Sequence, residues 1–284
     1  MLKIFGFVKR HPRLTHNEYR AAHVGYHNSF GRRLNNIRGY ILNVRSTRDI
    51  YANFSQSPVL RAVSFGEPKG FDEKWDGYGQ LNFDNMNAYL GARAPALDRA
   101  GPSGLELDDM VGKVGDDFKY LYEGSPFQFC VDESIKIPVI RQEKKMFKVV
   151  QFIKCPADLS PILFRSYIAG NYCSALSIMP GIKGLILNLR TPLDVMTGFF
   201  PSDSEAFTEA GKRRRELFYQ GWNAMIEYWY ESPECFFSER FNGKIGSHLS
   251  GMENELLDAS FFKEVDETVA VMPNRHPAPC FYHR

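Results

Sequence analysis

Residues 1–45 read MLKIFGFVKRHPRLTHNEYRAAHVGYHNSFGRRLNNIRGYILNVR, and residues 146–190 read MFKVVQFIKCPADLSPILFRSYIAGNYCSALSIMPGIKGLILNLR. At an offset of 145 the two stretches align without a gap, and 14 of the 45 positions are identical, among them Lys3, Phe7, Arg20, Gly25, Asn43 and Arg45. The match continues beyond them. WDGYGQLNFDNMNAYL (75–90) pairs with WNAMIEYWYESPECFF (222–237), and VDESIKI (131–137) with VDETVAV (265–271). The second copy is therefore slightly longer before its third strand, and the first copy carries about thirteen extra residues after its second helix. A period of this length is far above that of a solenoid, so the pattern predicts two fused domains. Their boundary falls in the charged stretch 141–145, giving domains 1–145 and 146–284.

Each copy shows the same element order. KIFGFVK and KVVQFIK alternate as strands. Thr15 and Glu18 form a capping box at the start of the first helix, and Ser160-Pro161 supplies an N-cap with proline at N1. GYILNVR and GLILNLR are second strands, and YGQLNF and MIEYWY third strands. A second helix begins near Asn85 or Ser232-Pro233, and a last strand ends near VDE[ST]. The order βαββαβ is that of a ferredoxin-like unit, with helices on one sheet face only. Its other face has to be covered. The expected fold is α+β: two fused ferredoxin-like units packing sheet to sheet as an intrachain dimeric α+β barrel.

Composition narrows the function classes. Of 284 residues 44% are apolar and 24% charged, which is ordinary for a globular chain. A net charge of +2 gives no support to a nucleic-acid partner. No apolar run is long enough to span a membrane, and MLKIFGFVKR lacks the apolar region of a signal peptide. Five scattered cysteines without a CxxC pair predict a reduced, cytoplasmic protein. P-loop, GxGxxG and GxSxG motifs do not occur, which removes nucleotide hydrolysis, Rossmann cofactors and serine-hydrolase chemistry.

The first helix carries the chemistry. Tyr19, Ala22, His23, Tyr26, His27 and Phe30 share one face at helical spacing. In the second copy His23 becomes Ile168 and His27 becomes Tyr172. Two imidazoles on a core-facing stripe, replaced in the other copy, are suited to acid–base work near neutral pH. They also suit buried hydrogen bonds to the backbone. Their i, i+4 spacing fits a metal, but a third ligand would have to come from elsewhere, and no metal or cofactor is expected. Tyr40 and Tyr26 either donate a phenolic proton or pack. Asp76 either orients His27 or serves the Asp-Gly turn. Asn43, kept as Asn188, reads as mainly structural. Lys9/Lys154, Arg20/Arg165 and Arg45/Arg190 fit solvated faces or ion pairs. The 46–74 connection with Tyr51, Phe54, Phe65 and Phe71, and the insert near 91–109, read as loops that could cover a pocket. The stretch SEAFTEAGKRRRELFYQ reads as a helix. Asn53-Phe-Ser has the form of a glycosylation sequon, and His276 and His283 fall in a Pro-rich tail suited to wrapping a neighbour.

Strand 1, Tyr19 with His27 eight positions later, Tyr40, Asp76-Gly77 and VDES resemble the EthD-type branch of the dimeric α+β barrel superfamily. His23 stands where that family more often has tryptophan. In the second copy Tyr40 becomes Leu185 and Asp76 becomes Asn223, so only the first half would be active. The resemblance implies cofactor-free chemistry, of lyase or isomerase type, on a small hydrophobic or aromatic carbonyl metabolite. It makes His27 the general acid or base. Tyr40, Tyr26 or His23 would stabilise oxygen charge, and Phe5, Phe7 and Trp75 would wall the pocket. A ligand-binding accessory protein and a cofactor-free or haem-linked monooxygenase are the alternatives, and a homodimer is possible.

Overall fold

The computed structural model describes residues 1–51, 64–93, 117–141, 143–241 and 243–273. Phe54, the Asn53-Phe-Ser sequon, most of the 91–109 insert, Cys280, His276 and His283 lie outside them. Eight strands form the frame: β1 Leu2–Val8, β2 Gly39–Arg45, β3 Gly77–Phe83, β4 Phe127–Ile137, β5 Phe147–Lys154, β6 Gly184–Arg190, β7 Ala224–Tyr230 and β8 Ala259–Val271. They close into one antiparallel barrel in the order β1-β3-β2-β8-β5-β7-β6-β4. Residues of the first copy supply the run β4-β1-β3-β2, and those of the second the equivalent run β8-β5-β7-β6.

The two runs do not simply stack face on face, as the sequence suggests; they join by backbone hydrogen bonds at their edges. The last strands make this possible because they are long. The start of β4 pairs with β1, and from Val131 onward β4 pairs with β6. In the same way β8 pairs with β5 up to Val265 and with β2 beyond it. The VDE[ST] segments thus sit where each last strand crosses from its own sheet to the other. Closure removes the unpaired edges that two separate sheets would leave. It is reinforced by matched ion pairs across the joint, Arg20 with Asp266 and Arg165 with Asp132.

Alternation along each strand divides the side chains between two compartments. In β1 Lys3, Phe5 and Phe7 point into the barrel, while Ile4, Gly6 and Val8 face the helices. The barrel is filled, not open. Its aromatic part holds Phe5, Phe7, Trp75, Phe129, Phe152 and Trp222. Beside this lies a charged belt. Glu227 is paired with Lys148 at 2.7 Å and Lys3 at 3.2 Å, and these lysines also reach Glu267 and Glu133. Burial pushes the Glu227 carboxyl up, but the two ammonium groups outweigh it and hold the group well below the usual carboxylate range. Asn43 accepts from Lys148 at 2.7 Å, and Asn188 donates to Glu227 at 3.0 Å, so both matched asparagines belong to this belt.

Outside the barrel the helices cover the strands. In the first half α1 (His16–Ala21) starts with the expected capping box, Thr15 accepting from the Glu18 amide and Glu18 from that of Thr15. It runs through a π-helical turn, Ala22–His27, into α2 (Asn28–Gly31). The second half repeats this as α5 (Pro161–Tyr167), a π-helical turn Ile168–Tyr172 and α6 (Cys173–Ser177). The Ser160 side chain makes no capping bond. Between them lie α3 (Met86–Leu90) and α4 (Phe118–Leu121). The expected basic helix is α7, Glu209–Tyr219, and α8 (Pro233–Phe241) and α9 (Gly243–Leu256) complete the second half. No helix among the described residues is long and apolar enough to cross a membrane. The four described cysteines are free.

Candidate functional site

The π-helical turn of the first half delivers both histidines to the layer between helix and barrel. His23 is 2% exposed and His27 8%. Tyr19, His23 and His27 form a row of near-parallel rings, with centroids 5.2 and 5.4 Å apart. His23 Nδ1 is hydrogen-bonded to the Tyr122 hydroxyl at 2.7 Å. His27 Nδ1 lies 2.7 Å from Asp117 Oδ2, and both groups are buried. A carboxylate on Nδ1 selects the tautomer whose Nε2 carries a lone pair, the atom that can take a proton from a substrate. Burial, and then the neighbouring His27, pushes the His23 imidazole well below its ordinary value, so it is held neutral.

These rings border a cavity of about 50 Å³, together with Gly6, Gly31, Gly79, Tyr40, Phe118 and Gln128 among others. That is room for ordered water or for the reacting end of a small molecule. Glycines create the space. The alignment places Gln151, Leu176 and Ile226 of the second half opposite Gly6, Gly31 and Gly79. At Gly31 an added Cβ would lie 2.4 Å from the Tyr40 ring, so the close approach of α2 to β2 requires glycine there. At Gly6 the nearest atom would be 3.8 Å away. Burial, and then the charge of Asp117, pushes the Tyr40 phenol up, so this hydroxyl keeps its proton and can donate it in a hydrogen bond. Two buried polar atoms beside the cavity, His23 Nε2 and Asp117 Oδ1, have no hydrogen-bond partner among the described residues. Unpaired buried groups of this kind mark a place for water or a ligand. Beyond Phe118, which lines both spaces, a wider cleft of about 530 Å³ opens between the halves, bordered by Arg93, Lys119, Phe200 and Ser204.

The residues singled out in the sequence divide into three groups. His23, His27 and Tyr40 come together at the cavity. Phe5, Phe7 and Asn43 lie on the opposite face of the sheet, inside the barrel, because strand alternation sends them away from the helices, and Trp75, in the connection before β3, packs there against Phe7. Tyr26 is 57% exposed and packs on Phe30. Asp76 does not reach His27. It accepts from the Arg10 amide at 3.0 Å and pairs with Lys9, Arg10 and Arg45 at the entry to β3. The carboxylate on His27 is Asp117, which sequence reasoning missed along with Tyr122. Asp117 lies just before α4, downstream of the 91–109 insert, and no local pattern in the sequence ties it to His27.

No family model and no curated protein matches the chain in sequence. Solved structures do match. A candidate monooxygenase of Fusobacterium nucleatum subsp. nucleatum ATCC 25586 superposes with a TM-score of 0.54 at 10% identity, covering 98% of this chain and 95% of that one. A candidate monooxygenase of Lactobacillus acidophilus NCFM gives 0.50 at 10% identity, covering 95% of each chain. At such identity the likeness is one of fold: an eight-stranded closed antiparallel barrel clad in helices.

Proposed function

We propose that the chain is a tandem EthD-type protein of two ferredoxin-like halves, 1–145 and 146–284, whose first half is an enzyme working by acid–base catalysis without a cofactor. The supporting observation is the buried His27–Asp117 pair beside a glycine-made cavity, with its Nδ1 contact of 2.7 Å. His27 Nε2 removes a proton adjacent to a carbonyl group, and the Tyr40 hydroxyl donates to the oxygen as charge develops on it. The body of a small hydrophobic or aromatic substrate occupies the cleft beyond Phe118, and only its reacting end enters the inner cavity. Returning the proton elsewhere completes an isomerisation, and expelling a leaving group completes an elimination.

The test is deuterium exchange from D2O into small enolisable aryl ketones, followed by proton NMR. Wild-type protein accelerates loss of the C–H signal next to the carbonyl, and His27→Gln lowers the rate by about 10²-fold or more. Exchange that survives His27→Gln rejects this site. A second reading, favoured by the names of the two structural neighbours, keeps the same first step but lets the carbanion react with dioxygen. Oxygen uptake coupled to substrate loss selects it, and undiminished turnover under argon selects the lyase or isomerase.

A further inference from the structure

Arg45 and Arg190 close β2 and β6 at matched positions, and their guanidinium groups have matched surroundings. Arg45 lies over Trp75 at 5.6 Å, and Arg190 over Trp222 at 5.4 Å. Arg45 donates to the carbonyl of Asp72, and Arg190 to that of Tyr219, its counterpart. The backbone amides agree as well: Arg45 N donates to Asp76 O, and Arg190 N to Asn223 O. What differs is the counter-charge. Arg45 has the carboxylates of Asp76 at 3.5 Å and Asp72 at 4.0 Å. In the second half these positions hold Asn223 and Tyr219, and among the described residues no carboxylate reaches Arg190 within ion-pair distance. Asn223 keeps only the structural half of the role of Asp76. Its Oδ1 accepts from the Cys155 amide at 2.9 Å, as Asp76 does from the matched Arg10 amide.

Arg190 therefore carries a half-buried positive charge that, among the described residues, has no carboxylate in ion-pair contact. It borders a cleft of about 580 Å³ with Lys212, Arg213 and Arg215 on one side and Phe129, Leu193 and Tyr219 on another. The acids of this cleft are engaged. Glu209 pairs with Lys212 at 3.0 Å, Asp194 accepts from Met196 N and Thr197 Oγ1, and Glu216 accepts from Gln220. Burial is the largest influence on the Arg190 guanidinium and lowers its basicity, while Tyr219 and Glu216 only partly oppose it. A desolvated cation without a counter-ion is costly, and an anion from solution offsets that cost.

We propose that this cleft, beside the half whose first helix carries no histidine, binds a small organic oxyanion: its charged group on Arg190 and Arg213, its apolar body against Phe129, Leu193 and Tyr219. The site is separate from the His27 cavity, so neither stands or falls with the other.

Benzoate and inorganic phosphate are the probes, titrated into the full chain by calorimetry. Saturable binding is expected, with benzoate the tighter if the ligand is an organic carboxylate and phosphate the tighter if it is a phosphate. Arg190→Gln should weaken binding about ten-fold or more. Asn223→Asp is the sharper variant, because it restores the residue of the first half without losing the bond from Cys155. It should weaken anion binding to a similar degree while leaving the protein folded, and His27→Gln should leave binding unchanged. Absence of saturable binding, or equal affinity in wild type and Asn223→Asp, overturns the proposal.

Discussion

The layers between helix and barrel in the two halves are built on one plan and filled in opposite ways. In the first half Gly6, Gly31 and Gly79 leave a hollow, and His23 and His27 border it. In the second half Gln151, Leu176 and Ile226 occupy the same places, fully buried. Tyr172 stands for His27 and bonds Glu253, which also pairs with the buried Arg240. Gln151 Nε2 lies 2.8 Å from Glu253 and from Ser260. One half thus holds titratable rings beside open space, and in the other that space is filled by a buried polar cluster around Glu253 and Arg240. A duplicated fold can divide labour in this way, because a filled half supports the barrel that a hollow half would weaken.

The largest effect should appear where the filled half is broken. Glu253→Gln leaves Arg240 short of its counter-charge and should cost about 3–5 kcal/mol in urea unfolding. Asp117→Asn in the hollow half should cost far less stability and act instead on catalysis. If both variants unfold at the same midpoint, the contrast between the halves fails. Next comes His27→Gln, with its fall of about 10²-fold in exchange rate. Tyr172→Phe, at the matched position, should leave that rate unchanged.

A smaller effect is expected from pH. The folded-state value of His23 is depressed, so below the ordinary histidine value near 6.5 the unfolded chain binds a proton that the folded chain refuses. Stability should fall as pH drops through that window, by up to about 1.4 kcal/mol per unit for this group. His23→Gln should flatten the dependence, and an unchanged pH profile in that variant would show that His23 does not titrate this way. The smallest effect belongs to Gly6→Ala. Its new methyl meets nothing closer than 3.8 Å, so stability should change by no more than about 1 kcal/mol, in the stabilising direction. The same methyl enters the cavity, and substrate affinity measured alongside should fall. Affinity that does not change would place the substrate elsewhere.

Much of the frame was legible without coordinates, because local chemistry announces itself at short range. Thr15 and Glu18 mark a helix start, the alternation of KIFGFVK marks a strand, and the match of 1–45 with 146–190 marks the repetition. The histidine stripe was visible for the same reason, as helical spacing puts His23 and His27 on one face. The destination of Phe5, Phe7 and Trp75 was not legible. Alternation says that successive residues face opposite ways but not which way leads to a cavity. Lys3 and Lys148 stood among the identical positions, yet it takes the pairing of β5 with β7 to bring Lys148 to Glu227 and closure of the barrel to bring Lys3 there.

The sequence by itself determined the elements and their order, since each depends on residues a few positions apart. Tertiary structure alone decided that β4 and β8 change sheets midway, that Asp117 rather than Asp76 meets His27, and that Arg190 is left without the carboxylates that Arg45 keeps. Those outcomes join residues tens to hundreds of positions apart. Their geometry is set by how the whole chain closes on itself, and no local pattern carries that information.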